Sequence, residues 1–65
     1  MFRVITHYTY DNLCHATRFE TYGDASVYFE DLQYEAESYG DILTIRIVDM
    51  DTGATPRKWV KSCGT

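Results

Sequence analysis

Few residues in this 65-residue chain are of types able to do chemistry. His7 and Cys14 fall where a hairpin would bring them near one another, a combination that suits a thiolate nucleophile or a metal. A structural zinc needs four ligands, and a Cys–His nucleophile needs a third group to orient the base and donors for an oxyanion. His15 faces the other side of its strand, and nothing else completes either set. Glu30 and Asp31 are adjacent carboxylates, but they fall on a convex helix where water screens them and no pocket raises a pKa. Asp49, Asp51 and Gly53 have the spacing of part of a calcium loop. The later bidentate Glu is missing, and a hairpin turn accounts for all three. No glycine pattern forms a phosphate loop. The sequence therefore gives no catalytic residue, no metal site and no cofactor.

Charge is more informative. From Glu20 to Ile45 the chain carries seven acids (Glu20, Asp24, Glu30, Asp31, Glu35, Glu37, Asp41) and no Lys, Arg or His. Every basic residue lies outside that stretch. Segregation of this kind points to a surface that meets a partner. The net charge of −4 disfavours generic attraction to nucleic acid, and no direct binding to duplex DNA is expected. Sixty-five residues allow one small domain with one core, and six tyrosines supply amphipathic contact area. No run reads as a signal peptide or a membrane span, so a cytoplasmic protein without membrane contact is expected. Cys14 and Cys63 form no recognisable disulfide or zinc framework and are expected to be free thiols.

The elements that position these groups read as two hairpins separated by a helix. Phe2 to Tyr10 is rich in β-formers, and Asp11-Asn12 suits a tight turn into a second strand from Leu13 to about Thr21. That turn sets a register in which Tyr10 faces Leu13, Tyr8 faces His15, Thr6 faces Thr17, Val4 faces Phe19 and Phe2 faces Thr21. On the opposite face Arg3 meets Glu20, Ile5 meets Arg18, His7 meets Ala16 and Thr9 meets Cys14, placing opposite charges across the ladder. Thr21 with Asp24 three residues later marks a helix start, and Gly40 marks its end. Ala25, Tyr28, Phe29, Leu32, Ala36 and Tyr39 recur at helical spacing and predict one buried stripe. Ile42 to Asp49 reads as a third strand with Leu43, Ile45 and Ile47 turned inward. The turn Asp51-Thr52-Gly53 predicts pairing of Met50 with Ala54, Arg46 with Lys58 and Ile45 with Trp59. Pro56 cannot donate to a ladder and places the fourth strand at an edge.

The expected fold is therefore α+β, a single ββαββ domain over residues 1–65. Its four-stranded antiparallel sheet has the order 2-1-3-4, with one helix on one face. Two surfaces follow. The helix side presents Asp24, Glu30, Asp31, Tyr34, Glu35, Glu37 and Asp41. The open sheet face presents Arg3, Arg18, Arg46 and Lys58, against only Glu20, among apolar neighbours, and offers a protein interface, self-association as a homodimer, or contact with phosphates. The acidic side is expected to matter more, because its charge is denser and no base neutralises it.

Leu43, Arg46, Ile47 and the run Arg57-Lys58-Trp59-Val60-Lys61-Ser62-Cys63 carry a resemblance to small phage-encoded anti-CRISPR proteins. In particular the chain resembles a type I-F inhibitor of that group with two N-terminal strands, a single helix, a strand with an Arg-Ile pattern and a C-terminal basic-basic-Trp-Val strand ending in Cys. The likeness lies in topology more than in identity. It implies a host-cytoplasmic inhibitor that binds a host protein or nucleoprotein complex without catalysis. The alternative from another class is a small nucleic-acid-binding or antitoxin-like regulator that uses the basic sheet face.

Overall fold

The structure is a computed structural model and describes residues 1–10 and 13–61. Strands β1 (Phe2–Tyr8) and β2 (Cys14–Phe19) precede the helix α1 (Tyr22–Tyr39), followed by β3 (Ile42–Asp49) and β4 (Arg57–Val60). The strands form one antiparallel sheet in the order β2-β1-β3-β4, and α1 covers one side of it. The expected ββαββ domain is the one observed.

Local chemistry sets the helix ends. The Thr21 hydroxyl accepts a hydrogen bond from the Asp24 amide at 3.2 Å, and the Asp24 carboxylate sits in the first turn, where the positive end of the macrodipole favours it. At the other end Gly40 takes φ 70° and its amide donates to the Ala36 carbonyl at 3.0 Å. The Lys61 ammonium donates to the Gly40 carbonyl at 3.2 Å, so a cation closes a helix end that has no basic residue of its own.

The core consists of Val4, Ala25, Phe29, Leu32, Ala36, Ile42, Ile45 and Ile47, with Phe2, Tyr8, Phe19, Tyr28 and Trp59 packed around it. Thr6 is buried among them. Leu32→Ala is expected to cost about 2–5 kcal/mol, a large share of what so small a domain holds. A circular dichroism melt checks this, and an unchanged midpoint would contradict the buried face of α1. Tyr39, expected in the stripe, is 78% exposed. The helix ends there, one residue before Gly40, and no strand lies beneath its ring.

Two features of the sheet differ from the expected pairing. In the first hairpin Phe2 faces Phe19, Arg3 faces Arg18, Val4 faces Thr17, Ile5 faces Ala16, Thr6 faces His15 and His7 faces Cys14. This is two residues away from the register expected, and no Arg3–Glu20 pair forms. The Tyr8 amide closes the ladder on the Leu13 carbonyl at 2.9 Å, while the next amide, Thr9, donates to the Asp41 carbonyl at 3.0 Å. β1 thus leaves β2 after Tyr8, and the Leu13 amide donates to the Tyr10 carbonyl at 3.1 Å. Asp11-Asn12 itself lies outside the described residues.

The second difference is in β3, where pairing with β1 shifts between His7, opposite Thr44, and Tyr8, opposite Ile42. Leu43 is the extra residue of this bulge. Ile42 is fully buried in its place, and Leu43 is exposed with its carbonyl accepting from the Lys61 amide at 2.8 Å. The β3–β4 pairs are as expected, with Arg46 opposite Lys58 and Ile45 opposite Trp59. Only the tip differs. The Asp49 amide donates to the Ala54 carbonyl, and the Gly53 amide, at φ 80°, donates to the Asp49 carbonyl. The Asp49 carboxylate also accepts from the Asp51 amide, so the three residues resembling a calcium loop shape the turn.

Candidate functional site

Alternation along the strands decides what the open face carries. Val4 and Thr6 are buried under the helix, so Arg3, Ile5 and His7 of β1 turn the other way. Arg18, Ala16 and Cys14 share that face from β2, Thr44, Arg46 and Val48 from β3, and Lys58 and Val60 from β4. Arg18 and Arg3 are direct cross-strand partners, and so are Arg46 and Lys58. Arg46 lies opposite Ile5, two residues along the ladder from Arg3. Each of the four strands therefore contributes one cation.

Among the described residues the ion pairs join the N-terminal ammonium to Asp51 and Arg57 to Glu30. Neither involves the four cations of the open face. Like charges placed directly opposite one another weaken a sheet, so this face is kept at some cost to stability. Arg3 and Arg46, opposite Val48 and Ile5 on the central strands, are half-buried, and Arg18 and Lys58 are exposed.

The acidic side is less concentrated than the sequence implies. Asp24, Glu30, Asp31, Tyr34 and Glu37 are exposed, whereas Glu35 and Asp41 are half-buried. At 3.6 residues per turn Asp24, Asp31 and Glu35 share one line along α1, and Glu30 and Glu37 share a second about 130° away. The acids thus wrap the outside of the helix, interleaved with Val27 and Tyr34 at 65% and 74% exposure.

Glu30 is not free of neighbouring base. The Arg57 guanidinium donates to its carboxylate at 3.3 Å and to the Ser26 hydroxyl at 3.3 Å, and lies 4.5 Å above the ring of Phe29. This corrects the expectation that no base neutralises the acidic set. Ser26 and Glu30, four residues apart on the side of α1 nearest β4, were the readable trace of that contact. The Gln33 amide donates to Glu37 at 3.3 Å. Asp41 belongs to the junction between α1 and β3, where one carboxylate oxygen is buried without a hydrogen-bond partner among the described residues.

Beside that junction the rings of Tyr10 and His15 lie 5.6 and 5.8 Å from Tyr8. Burial first, then the negative charge of Glu35 and lesser contributions from Tyr28, Tyr10 and Asp41, push the Tyr8 hydroxyl above its ordinary value. The phenol stays protonated at neutral pH.

No family model, no curated protein and no solved structure matches the chain. The geometry carries the reading from here. His7 and Cys14 are direct cross-strand partners and both exposed, and no group of three His, Cys, Asp or Glu assembles among the described residues. Cys14 is unbonded, and Cys63 lies outside the described residues. The surface of the described residues holds no pocket, and no helix is long and apolar enough to cross a membrane. What the molecule presents is an open cationic sheet face on one side and a convex acidic helix on the other.

Proposed function

We propose that this protein is a non-enzymatic binding module, an inhibitor of phage or mobile-element type that engages a host defence nucleoprotein complex in the host cytoplasm. The supporting observation is the opposition of its two faces, with Arg3, Arg18, Arg46 and Lys58 on the open sheet, without an ion-pair partner among the described residues, and exposed acids around α1. A nucleoprotein complex offers both complements. Its protein channels are lined with Lys and Arg, and its nucleic acid is a polyanion. The acidic set Asp24, Glu30, Asp31, Glu35, Glu37 and Asp41, with Tyr34 as an aromatic contact, takes the first role, and the cationic stripe takes the second. The likeness in layout to anti-CRISPR proteins favours the same target class.

A second reading, a nucleic-acid-binding or antitoxin-like regulator, is favoured by the cations of the open face alone. A toxin gene next to its own would support it.

The experiment is an infection assay on cells with an active nucleic-acid-guided defence. Expression of the protein is expected to restore plating of a targeted phage, and the purified defence complex is expected to co-purify with it. Charge reversal on both faces together should remove both effects. Unrestored plating with no co-purification would overturn the reading.

A further inference from the structure

We infer that the open sheet face binds the phosphate backbone of a single nucleic-acid strand, with Arg18, Arg3, Arg46 and Lys58 forming one continuous contact line. This rests on the reading of the protein as a binding module and names the chemistry of one partner.

The line follows from the pairing. Read across the sheet in its spatial order β2-β1-β3-β4, the cations are Arg18, Arg3, Arg46 and Lys58, one on each strand. The outer steps join direct partners about 5 Å apart, and the central step from Arg3 to Arg46 is a diagonal of about 7–8 Å. The three steps make the line about 17 Å long, across about 14 Å of sheet. A regular row of cations of that length complements a linear polyanion. Three of the four are arginines, whose planar fork holds a phosphate through two hydrogen bonds.

The composition of the face selects among occupants. Protein interfaces are anchored by Trp, Tyr and Arg in desolvated pockets, and this face offers the arginines without an aromatic anchor beside them. Among its described residues this face has no Trp, Tyr or Phe, because Phe2, Tyr8, Phe19 and Trp59 all pack on the helix side. A second copy presenting the same face would set four cations against four, which opposes a symmetric sheet-to-sheet dimer. The lack of an aromatic platform also removes base stacking, so recognition is by backbone charge and independent of sequence. A single strand is favoured over a duplex. Its flexible backbone can follow a line across four twisted strands, and its lower charge density is repelled less by the acids of α1.

Fluorescence anisotropy with labelled oligo(dT) and oligo(U), against a duplex of equal length, tests this on the full chain. Both single strands are expected to bind at low salt with affinities within a few-fold of each other, and the duplex more weakly. Four contacts predict a slope of log K against log salt of about −2.8, or about a 50-fold loss between 50 and 200 mM. Each single change to alanine should make the slope shallower by about 0.7, and the fourfold change to glutamate should abolish binding.

Arg18→Glu separates binding from folding. It places opposite charges across Arg3, so the melting midpoint is expected to hold or rise while affinity falls. No salt-sensitive binding to single strands, undiminished binding by the fourfold variant, or equal competition by polyglutamate would overturn the inference. If single strands fail to bind while the defence complex still co-purifies after nuclease treatment, the inference falls and the inhibitor reading stands.

Discussion

Phe29→Ala is expected to remove most of the stability of the fold at 25 °C. The ring is 1% exposed and lies at the centre of the buried stripe of α1, facing a sheet whose inward residues Val4, Ile45 and Ile47 are buried as deeply. Removing it takes away its burial and leaves a cavity, together about 3–5 kcal/mol. A domain of this length holds near the lower end of the about 5–15 kcal/mol typical of folded proteins. The substitution also removes the surface on which the Arg57 guanidinium rests, 4.5 Å from the ring centre. Val27→Ala is the matched control, since Val27 is 65% exposed and such changes usually stay within about 0.5 kcal/mol. Thermal melts of the two variants decide the matter: a cooperative transition near the wild-type midpoint in Phe29→Ala would refute the core described here.

Changing Glu30, Asp31, Glu35 and Glu37 together to lysine is expected to keep the fold and invert the protein's behaviour toward polyanions. Each substitution adds two positive charges, so a net −4 becomes +4. Wild-type protein should show no measurable affinity for duplex DNA at physiological salt. The variant should bind it non-specifically, within the range of about 10⁻⁴ to 10⁻⁶ M usual for such contacts. Capture of the host complex should be lost, because attraction toward a basic channel becomes repulsion and association slows.

The fold should tolerate this. Of the four, only Glu30 has an ion-pair partner among the described residues, and its side chain is 65% exposed, a setting in which such a pair contributes at most about 1 kcal/mol. Mobility shift, co-purification and a melt on the same preparation test all three parts. Full capture of the complex by this variant, together with loss of capture when Arg18, Arg46 and Lys58 are reversed, would confine the working surface to the open sheet.

The four cations of the open face were legible as a set because a strand alternates its side chains. The acids were legible as a run, and their two lines along the helix follow from its period, but not the capture of Glu30 by Arg57, which depends on how α1 lies against β4. The local relationship between Ser26 and Glu30 was visible, whereas the partner came from a residue 27 positions after Glu30.

The sequence by itself determined whatever depends on neighbours or on period. Thr21, Asp24 and Gly40 bound the helix through hydrogen bonds and a backbone angle that need no distant contact. Alternation assigned most side chains to a face, and the handedness of the β2–α1–β3 crossover assigned the strand order. Only the tertiary structure decided the register of the first hairpin. A slip of two residues returns every side chain to the same face, so the hydrophobic pattern is blind to it. The choice was made where Thr9 gives its amide to Asp41, a residue beyond the helix, and β1 parts from β2. With β1 drawn away there, Arg3 lies opposite Arg18 instead of Glu20, and the one opposite-charge pair of the expected register gives way to two adjacent cations in the line on which the proposed contact rests.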